Sequence, residues 1–275
     1  MTFFATTHIE SLIRRDAQFK LLKKIGFFPE VYFESAWEQI SPARHKELAS
    51  LVLGELSGSG VHLPYRDILP GKMDTKTLDK LKRATEIANL YQPRHLIGHA
   101  IFRRLKDSLL EDSFKSRTMG RGELTAPIST PNEAFLNSSV KTWLSVLENT
   151  DANLFLENTS EASPYPIVKV LEALAHKRAA MCLDIGHWHF SGMGSSWNNL
   201  PQWMEIIGDQ LGHLHLHDND GDFDQHLPMG KGTIDFGILK ELLAKRADRP
   251  TATVENHIPG DLIISARYLE ENFLG

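Results

Sequence analysis

Asn153-Leu-Phe-Leu-Glu157-Asn158 and Ala180-Met-Cys-Leu-Asp184 are two short apolar runs, each carrying a carboxylate at its end. Between them lies Pro166-Ile-Val-Lys-Val-Leu-Glu-Ala-Leu-Ala-His-Lys177, whose apolar residues recur at helical spacing. Strand, helix and strand in that order make a unit that lays its two strands parallel. The same alternation runs the length of the chain. Runs at 2–7, 30–34, 60–64, 94–99, 153–158, 180–184, 211–217 and 251–255 read as eight strands. Helical patterns at 9–25, 42–53, 74–91, 131–149, 166–177, 203–209, 236–246 and 261–273 follow them. Gly26 stands where the first helix needs a C-cap, and Pro131 opens the fourth. Eight such units in 275 residues predict an α/β protein with one domain, a closed (β/α)8 TIM barrel over residues 1–275. A doubly wound open sheet is the structural alternative. No Gly-x-Gly-x-x-Gly follows the first strand, which counts against it.

Composition narrows what the barrel can do. The formal net charge is -5 and the pI about 6.2, so no broad basic field draws in nucleic acid. Cys182 is the single cysteine, which excludes an internal disulfide and a cysteine-rich zinc site. The first eight residues have no basic stretch followed by a long apolar run, and no apolar window can span a bilayer. The expected setting is cytoplasmic, with no membrane partner. Residues 102–130, after the fourth strand, form a long polar stretch rich in Arg, Ser, Thr and Gly. Its position places it over the active face, as a lid or as a plain surface insertion.

The histidines, 13 in all, gather in a few clusters, and six strands end in a potential ligand. These are His62 with Tyr65, then His99, then Glu157, then Asp184 with His187, then His213, His215 and His217, and lastly Glu255. The loop after the seventh strand adds Asp224 and His226. The C-terminal ends of barrel strands share one mouth. Carboxylates and imidazoles crowded there repel one another or stay desolvated at high cost unless a cation joins them. Imidazole nitrogen with carboxylate oxygen suits zinc, manganese, iron or cobalt. Singly, each residue has a plainer role: Glu157 as a helix cap, His99 as a core histidine, His213 as barrel packing. His8, His189 and His257 lack the strand-end framing and read as structural.

At these residues the sequence resembles the xylose isomerase-like barrel superfamily, which holds sugar isomerases and epimerases together with endonuclease IV. The matching pieces run from about residue 62 to 255. The most specific is His215-Leu-His-Asp-Asn-Asp-Gly-Asp-Phe-Asp224-Gln-His226-Leu-Pro-Met-Gly230-Lys-Gly232-Thr-Ile-Asp235, similar to sugar phosphate isomerase/epimerase members. The resemblance implies one divalent metal on Glu157, Asp184, His215 and Glu255, with the two glutamates also serving as the acid/base pair. It implies further ligands of the endonuclease IV type at His62, His99, His187, Asp224 and His226, for one to three ions per chain. Tyr65 is similar to a tyrosine near the damaged site of that enzyme. Residues 33–38, which should match its DNA-entering stretch, are acidic and lack arginine, so nucleic acid is not expected as a partner.

The expected reaction is isomerisation or epimerisation of a sugar, sugar phosphate or related polyol, by carboxylate-mediated proton transfer next to a metal-bound carbonyl. The alternative is an endonuclease IV-like multinuclear phosphoesterase or phosphodiesterase. His187 and Lys231 are candidates for binding substrate oxygens, Lys231 because Gly230 and Gly232 let the backbone approach a ligand closely. Trp37 and Trp188 read either as an apolar wall for a sugar ring or as core. A metal-binding sensor without catalysis is a third reading, weakened by the complete acid/base pair. By resemblance the barrel is a homo-oligomer.

Overall fold

The computed structural model describes residues 1–14, 17–33, 37–66, 68, 70–71, 75–100, 133–159, 161, 163–192 and 198–273. Eight parallel strands close into a barrel in chain order: β1 (Phe3–His8), β2 (Phe28–Tyr32), β3 (Gly60–His62), β4 (His95–His99), β5 (Asn153–Glu157), β6 (Ala179–Asp184), β7 (Leu211–Leu216) and β8 (Thr251–Val254). Closure is made by β8 on β1, with Phe3 opposite Ala252 and Ala5 opposite Val254. Around them run α1 (Ile9–Arg14), α2 (Ala17–Ile25), α3 (Pro42–Leu56), α4 (Thr75–Ala88), α5 (Glu133–Leu147), α6 (Tyr165–Leu174), α7 (Ile185–Gly192), α8 (Leu200–Ile207), α9 (Phe236–Ala244) and α10 (Pro259–Asn272). The predicted barrel is therefore the observed fold. Among the described residues no helix is long and apolar enough to cross a membrane. The expected loop at 102–130 lies outside the described residues, as do residues 34–36 of the acidic stretch.

Several boundaries differ from the sequence reading. β2 begins at Phe28, because Pro29 sits near the strand's start, where one missing donor is tolerated. The first helical pattern is two helices, α1 and α2. α6 stops at Leu174, where Ala175 turns left-handed (φ 46°) and its N–H caps on Leu171 O. α7 has no counterpart in the sequence pattern. It starts directly at the end of β6, and its first-turn N–H, that of His187, is satisfied by Asp184 Oδ1 at 2.6 Å.

The register decides where the apolar core sits. Side chains alternate across a strand, so Leu154 and Leu156 of β5 face outward with Leu183, Leu214, Leu216 and Val254. They pack against helix residues such as Trp143, Ile167, Trp203 and Leu239. The inward set is different: Phe155 and Glu157, Cys182 and Asp184, His213 and His215. A small apolar group, Ile97, Phe155 and Cys182, sits in the interior apart from the main core. Most barrels fill this space with branched aliphatic layers. Here His, Glu and Thr take their place, so the strand register turns the barrel axis into a polar column.

Gly98 shows how tightly the outer layer closes. A Cβ there would lie 2.5 Å from Trp143 Cη2 and 2.7 Å from Cζ3, and that indole is buried in the layer between sheet and α5. Gly98→Ala is therefore expected to destabilise the fold by ~1–3 kcal/mol through overpacking. Chemical denaturation of the two proteins checks this; an unchanged midpoint would mean the indole moves freely.

Candidate metal centre

The mouth of the barrel collects donors from six strands. Glu157 at the end of β5, Asp184 at the end of β6, His215 on β7 and Glu255 just after β8 bring one ligand atom each to within 4.8 Å of one another. None is more than 2% exposed. His215 Nδ1 lies between two of the carboxylates, 3.2 Å from Glu157 Oε1 and 3.1 Å from Glu255 Oε2, with Asp184 Oδ2 at 3.6 Å. Asn158 ties the ends of β5 and β6 together: its Nδ2 donates to Asp184 O at 3.0 Å and its Oδ1 accepts from Asp184 N at 2.8 Å.

Two further groups flank this centre. On one side His62 Nε2 and His99 Nε2 stand 3.0 and 3.4 Å from Glu157 Oε2. Tyr65 stacks over His99 with ring centroids 4.7 Å apart. On the other side His187, His217, Asp224 and His226 converge. His187 Nε2 and His226 Nε2 lie 3.2 and 2.9 Å from Asp224 Oδ2. His217 Nε2 is 3.2 Å from Asp184 Oδ1 and 3.6 Å from Asp224 Oδ1, so it joins the central and outer groups.

Three imidazoles are fixed the same way. His62 Nδ1 donates to Leu63 O at 2.8 Å, His187 Nδ1 to Asn158 O at 2.9 Å, and His226 Nδ1 to Glu255 O at 3.0 Å. A proton committed to a carbonyl through Nδ1 leaves Nε2 facing the carboxylates with its lone pair available to a cation.

The electrostatics show what the site lacks. Burial pushes the Glu157 carboxyl up, but His215, His99 and His187 outweigh it and hold it well below the usual range. Asp184, Asp224 and Glu255 are likewise raised by burial and lowered further by the imidazoles around them. Reciprocally, burial lowers His62, His187, His215 and His226, and the adjacent carboxylates more than reverse it; His226 reaches about 9. Each of these carboxylates is thus balanced by a proton on an imidazole. Even so, Asp184 Oδ2, Asp224 Oδ1, Glu255 Oε2, His99 Nδ1 and His217 Nδ1 are buried without a well-formed hydrogen bond among the described residues. Buried polar atoms left so are costly. A divalent ion in place of the protons satisfies oxygen and nitrogen together, so the donor set fits a metal.

The family model of the xylose isomerase-like TIM barrel matches residues 19–271. The chain belongs to that family. Within this xylose isomerase-like barrel, 147 residues are 31% identical to the uncharacterized protein MJ1614 of Methanocaldococcus jannaschii, covering 50% of the chain and 55% of that protein. The chain thus matches little more than half the length of that relative. Among solved structures, a D-tagatose 3-epimerase-like protein superposes with a TM-score of 0.73 at 21% identity, over 99% of this chain and 97% of that one. Endonuclease IV from Thermus thermophilus superposes with a TM-score of 0.62 at 16% identity, over 98% of this chain and 100% of that one. At these identities the likeness is one of fold.

The sequence-predicted residues therefore divide. Glu157, Asp184, His215, Glu255, His62, His99, His187, Asp224 and His226 all come together, with Tyr65 at the rim. Lys231 is exposed on the loop between β7 and α9. The close backbone approach that Gly230 and Gly232 permit is taken up by Asp218, whose Oδ2 accepts from both N–H groups at 3.0 and 2.9 Å. A Cβ on Gly232 would lie 2.4 Å from Asp218 Oδ1. Trp37 and Trp188 are core residues. His189 shares a hydrogen bond with Thr233 Oγ1 at 2.9 Å, apart from the cluster. Sequence reading did not assign His217 to the ligand set. Its signal was Gly186 in Asp-Ile-Gly-His: a Cβ there would fall 1.9 Å from His217 Cε1, so the glycine makes room for the ring.

Metal uptake must displace the imidazole protons. With His226 at about 9 and His62, His187 and His215 also raised by their carboxylate neighbours, protons compete with a cation for these nitrogens, and the competition eases as pH rises. Zinc titrated into metal-free protein near neutrality should therefore release protons, and affinity should climb with pH. Calorimetry in buffers of different ionisation enthalpy measures the release. Binding without proton release would contradict this charge balance.

Proposed function

We propose that the protein is a divalent-metal-dependent isomerase or epimerase acting on a sugar, sugar phosphate or related polyol. The observation that carries this reading is the convergence of Glu157 and Glu255 on His215 Nδ1, 3.2 and 3.1 Å away, with Asp184 in the same group. The ion would be held by these four residues, drawn from zinc, manganese, iron or cobalt. When bound it polarises a substrate carbonyl and acidifies the neighbouring C–H. The protein's own part is proton handling. One glutamate takes the proton from the carbon and the other, across the site, returns one. Both are buried, and the imidazoles around them keep both in the carboxylate form that can accept a proton. On this reading His187 binds a substrate oxygen, and Tyr65, stacked on His99, offers its ring face to the sugar. The fold likeness to a D-tagatose 3-epimerase-like protein agrees with a ketose substrate.

A second reading has its own support. His62 and His99 with Glu157, and His187, His217 and His226 with Asp224, could hold two more ions. That arrangement suits hydrolysis of a phosphate ester by activated water, and the fold likeness to endonuclease IV agrees with it.

The test is an assay of the metal-loaded protein on a ketose panel in deuterated water, beside a phosphodiester, with metal counted per chain. The isomerase reading expects solvent deuterium at the carbon next to the carbonyl. It also expects a loss of roughly 10²–10⁴-fold in kcat for Glu157→Gln and for Glu255→Gln. Full turnover in both variants would sink the acid/base assignment. Phosphodiester cleavage without deuterium uptake would establish the second reading instead.

A further inference from the structure

Beneath the centre lies a second polar layer around Glu30, His95 and His213, whose donor atoms also lie within 4.8 Å of one another. Glu30 on β2 is fully buried. Its Oε2 accepts from the Thr253 hydroxyl at 2.7 Å and from His95 Nε2 at 2.8 Å, and His213 Nε2 stands 3.5 Å away. The proton positions follow from counting. Glu30 Oε2 accepts from a hydroxyl and an imidazole N–H together, the pattern of a carboxylate oxygen, so Glu30 spends no proton of its own here. Thr253 spends its one proton on Glu30, so Thr253 Oγ1 accepts from His213 Nε2 at 2.9 Å. His213 then carries its proton on Nε2, and its Nδ1 accepts from the Thr251 hydroxyl at 2.6 Å. Each proton donated in this chain of hydrogen bonds thus has an acceptor.

One atom of this carboxylate is left. Glu30 Oε1 is buried without a hydrogen bond among the described residues, and so is His215 Nε2, with the Cys182 thiol also beside that imidazole. The two face each other at 3.2 Å, in contact but off the line of an ideal hydrogen bond. The backbone makes space for the arrangement: Gly60 on β3 is a glycine because a Cβ there would lie 2.3 Å from His95 Nε2. His215 is thus oriented differently from its neighbours. His62, His187 and His226 rest on backbone carbonyls through Nδ1 and present Nε2. His215 presents Nδ1, and behind it stands a carboxylate.

We propose that Glu30 is a positioning residue for His215: it takes the Nε2 proton, fixes the tautomer that turns Nδ1 toward Glu157, Asp184 and Glu255, and places a negative charge behind the imidazole. The proposal rests on the metal-centre reading above. A carboxylate behind a ligating imidazole makes it a stronger ligand, and its loss typically weakens metal binding by about 10–100-fold.

Zinc titrations of the wild-type protein and of Glu30→Gln test this. Glutamine keeps the size and one acceptor but not the charge. The expected result is a zinc affinity about 10–100-fold weaker in Glu30→Gln, with cooperative unfolding of both metal-free proteins. A wild-type protein that takes up no zinc would remove the centre and the relay together. Tight wild-type binding matched by Glu30→Gln would overturn the relay alone. A second measurement needs no variant to fold: long-range proton–nitrogen NMR of the zinc-loaded wild type. His215 should show its proton on Nε2 and its metal on Nδ1, and ligation through Nε2 would overturn the proposal.

Discussion

The structure turns on one constraint: Glu157, Asp184 and Glu255 are held close together, each no more than 2% exposed, at the end of the barrel. Like charges at this spacing, out of water, cannot coexist without cations between them. Everything nearby serves that need. Imidazoles stand on every side, and His62, His187 and His226 are anchored through Nδ1 with Nε2 turned inward. Glycines appear where a ring must lie against a strand or a helix start, as Gly186 does for His217 and Gly60 for His95. The barrel gives up its usual aliphatic interior for these groups and keeps its apolar core outside, between sheet and helices.

That exchange gives the interior two polar layers with different duties. The upper layer, at the strand ends, carries charges that protons or metal must balance. The lower layer, Glu30 with His95, His213, Thr251 and Thr253, is closed by its own hydrogen bonds except for the single atom directed at His215. A closed network of this kind is rigid because each member has only one way to be satisfied. Phe4 and Phe155 pack their rings against His95 and His213, which leaves the imidazoles no room to turn. The rigidity below is what lets the layer above be held in one geometry.

Much of this was legible in the sequence, for identifiable reasons. The barrel follows from eight alternating units, because strand and helix periods differ and the count fixes closure. Seven of the nine predicted donors sit within or just after strand ends, and parallel topology sends all strand ends to one mouth; Asp224 and His226 stand on the loop after β7. The remainder depended on facts that no local pattern carries. His217 lies one residue past β7 and reads as a continuation of the His213–His215 alternation, yet it bridges to Asp224. Glu30 looks like an ordinary residue at the start of a strand, because a register shift decides whether it points in or out. Lys231 draws attention through its flanking glycines, whose true partner, Asp218, is distant by more than a turn of chain. α7 is hidden because its eight residues, Ile185–Gly192, hold three buried aromatic or imidazole rings and show no polar face.

The three donor groups differ mainly in carboxylates, and that difference orders them. The central group offers three, Glu157, Asp184 and Glu255, with one imidazole that has a fourth carboxylate behind it. The His62–His99 group has only Glu157, which it shares with the centre. The outer group has only Asp224, with three neutral-capable imidazoles. Charge favours a divalent ion more strongly than neutral nitrogen does when both are buried. On the proposed reading the centre therefore binds first and most tightly, and the flanking groups bind later. An ion at the centre also neutralises Glu157, which weakens the pull of that glutamate on a second ion beside His62 and His99. The outer group suffers less, since Asp224 belongs to it and reaches the centre only through His217. Isomerase and hydrolase chemistry thus do not need different protein frames here. They differ in whether the flanking imidazoles meet substrate oxygens or further cations, and the lone carboxylate in each flanking group is what makes both outcomes chemically accessible.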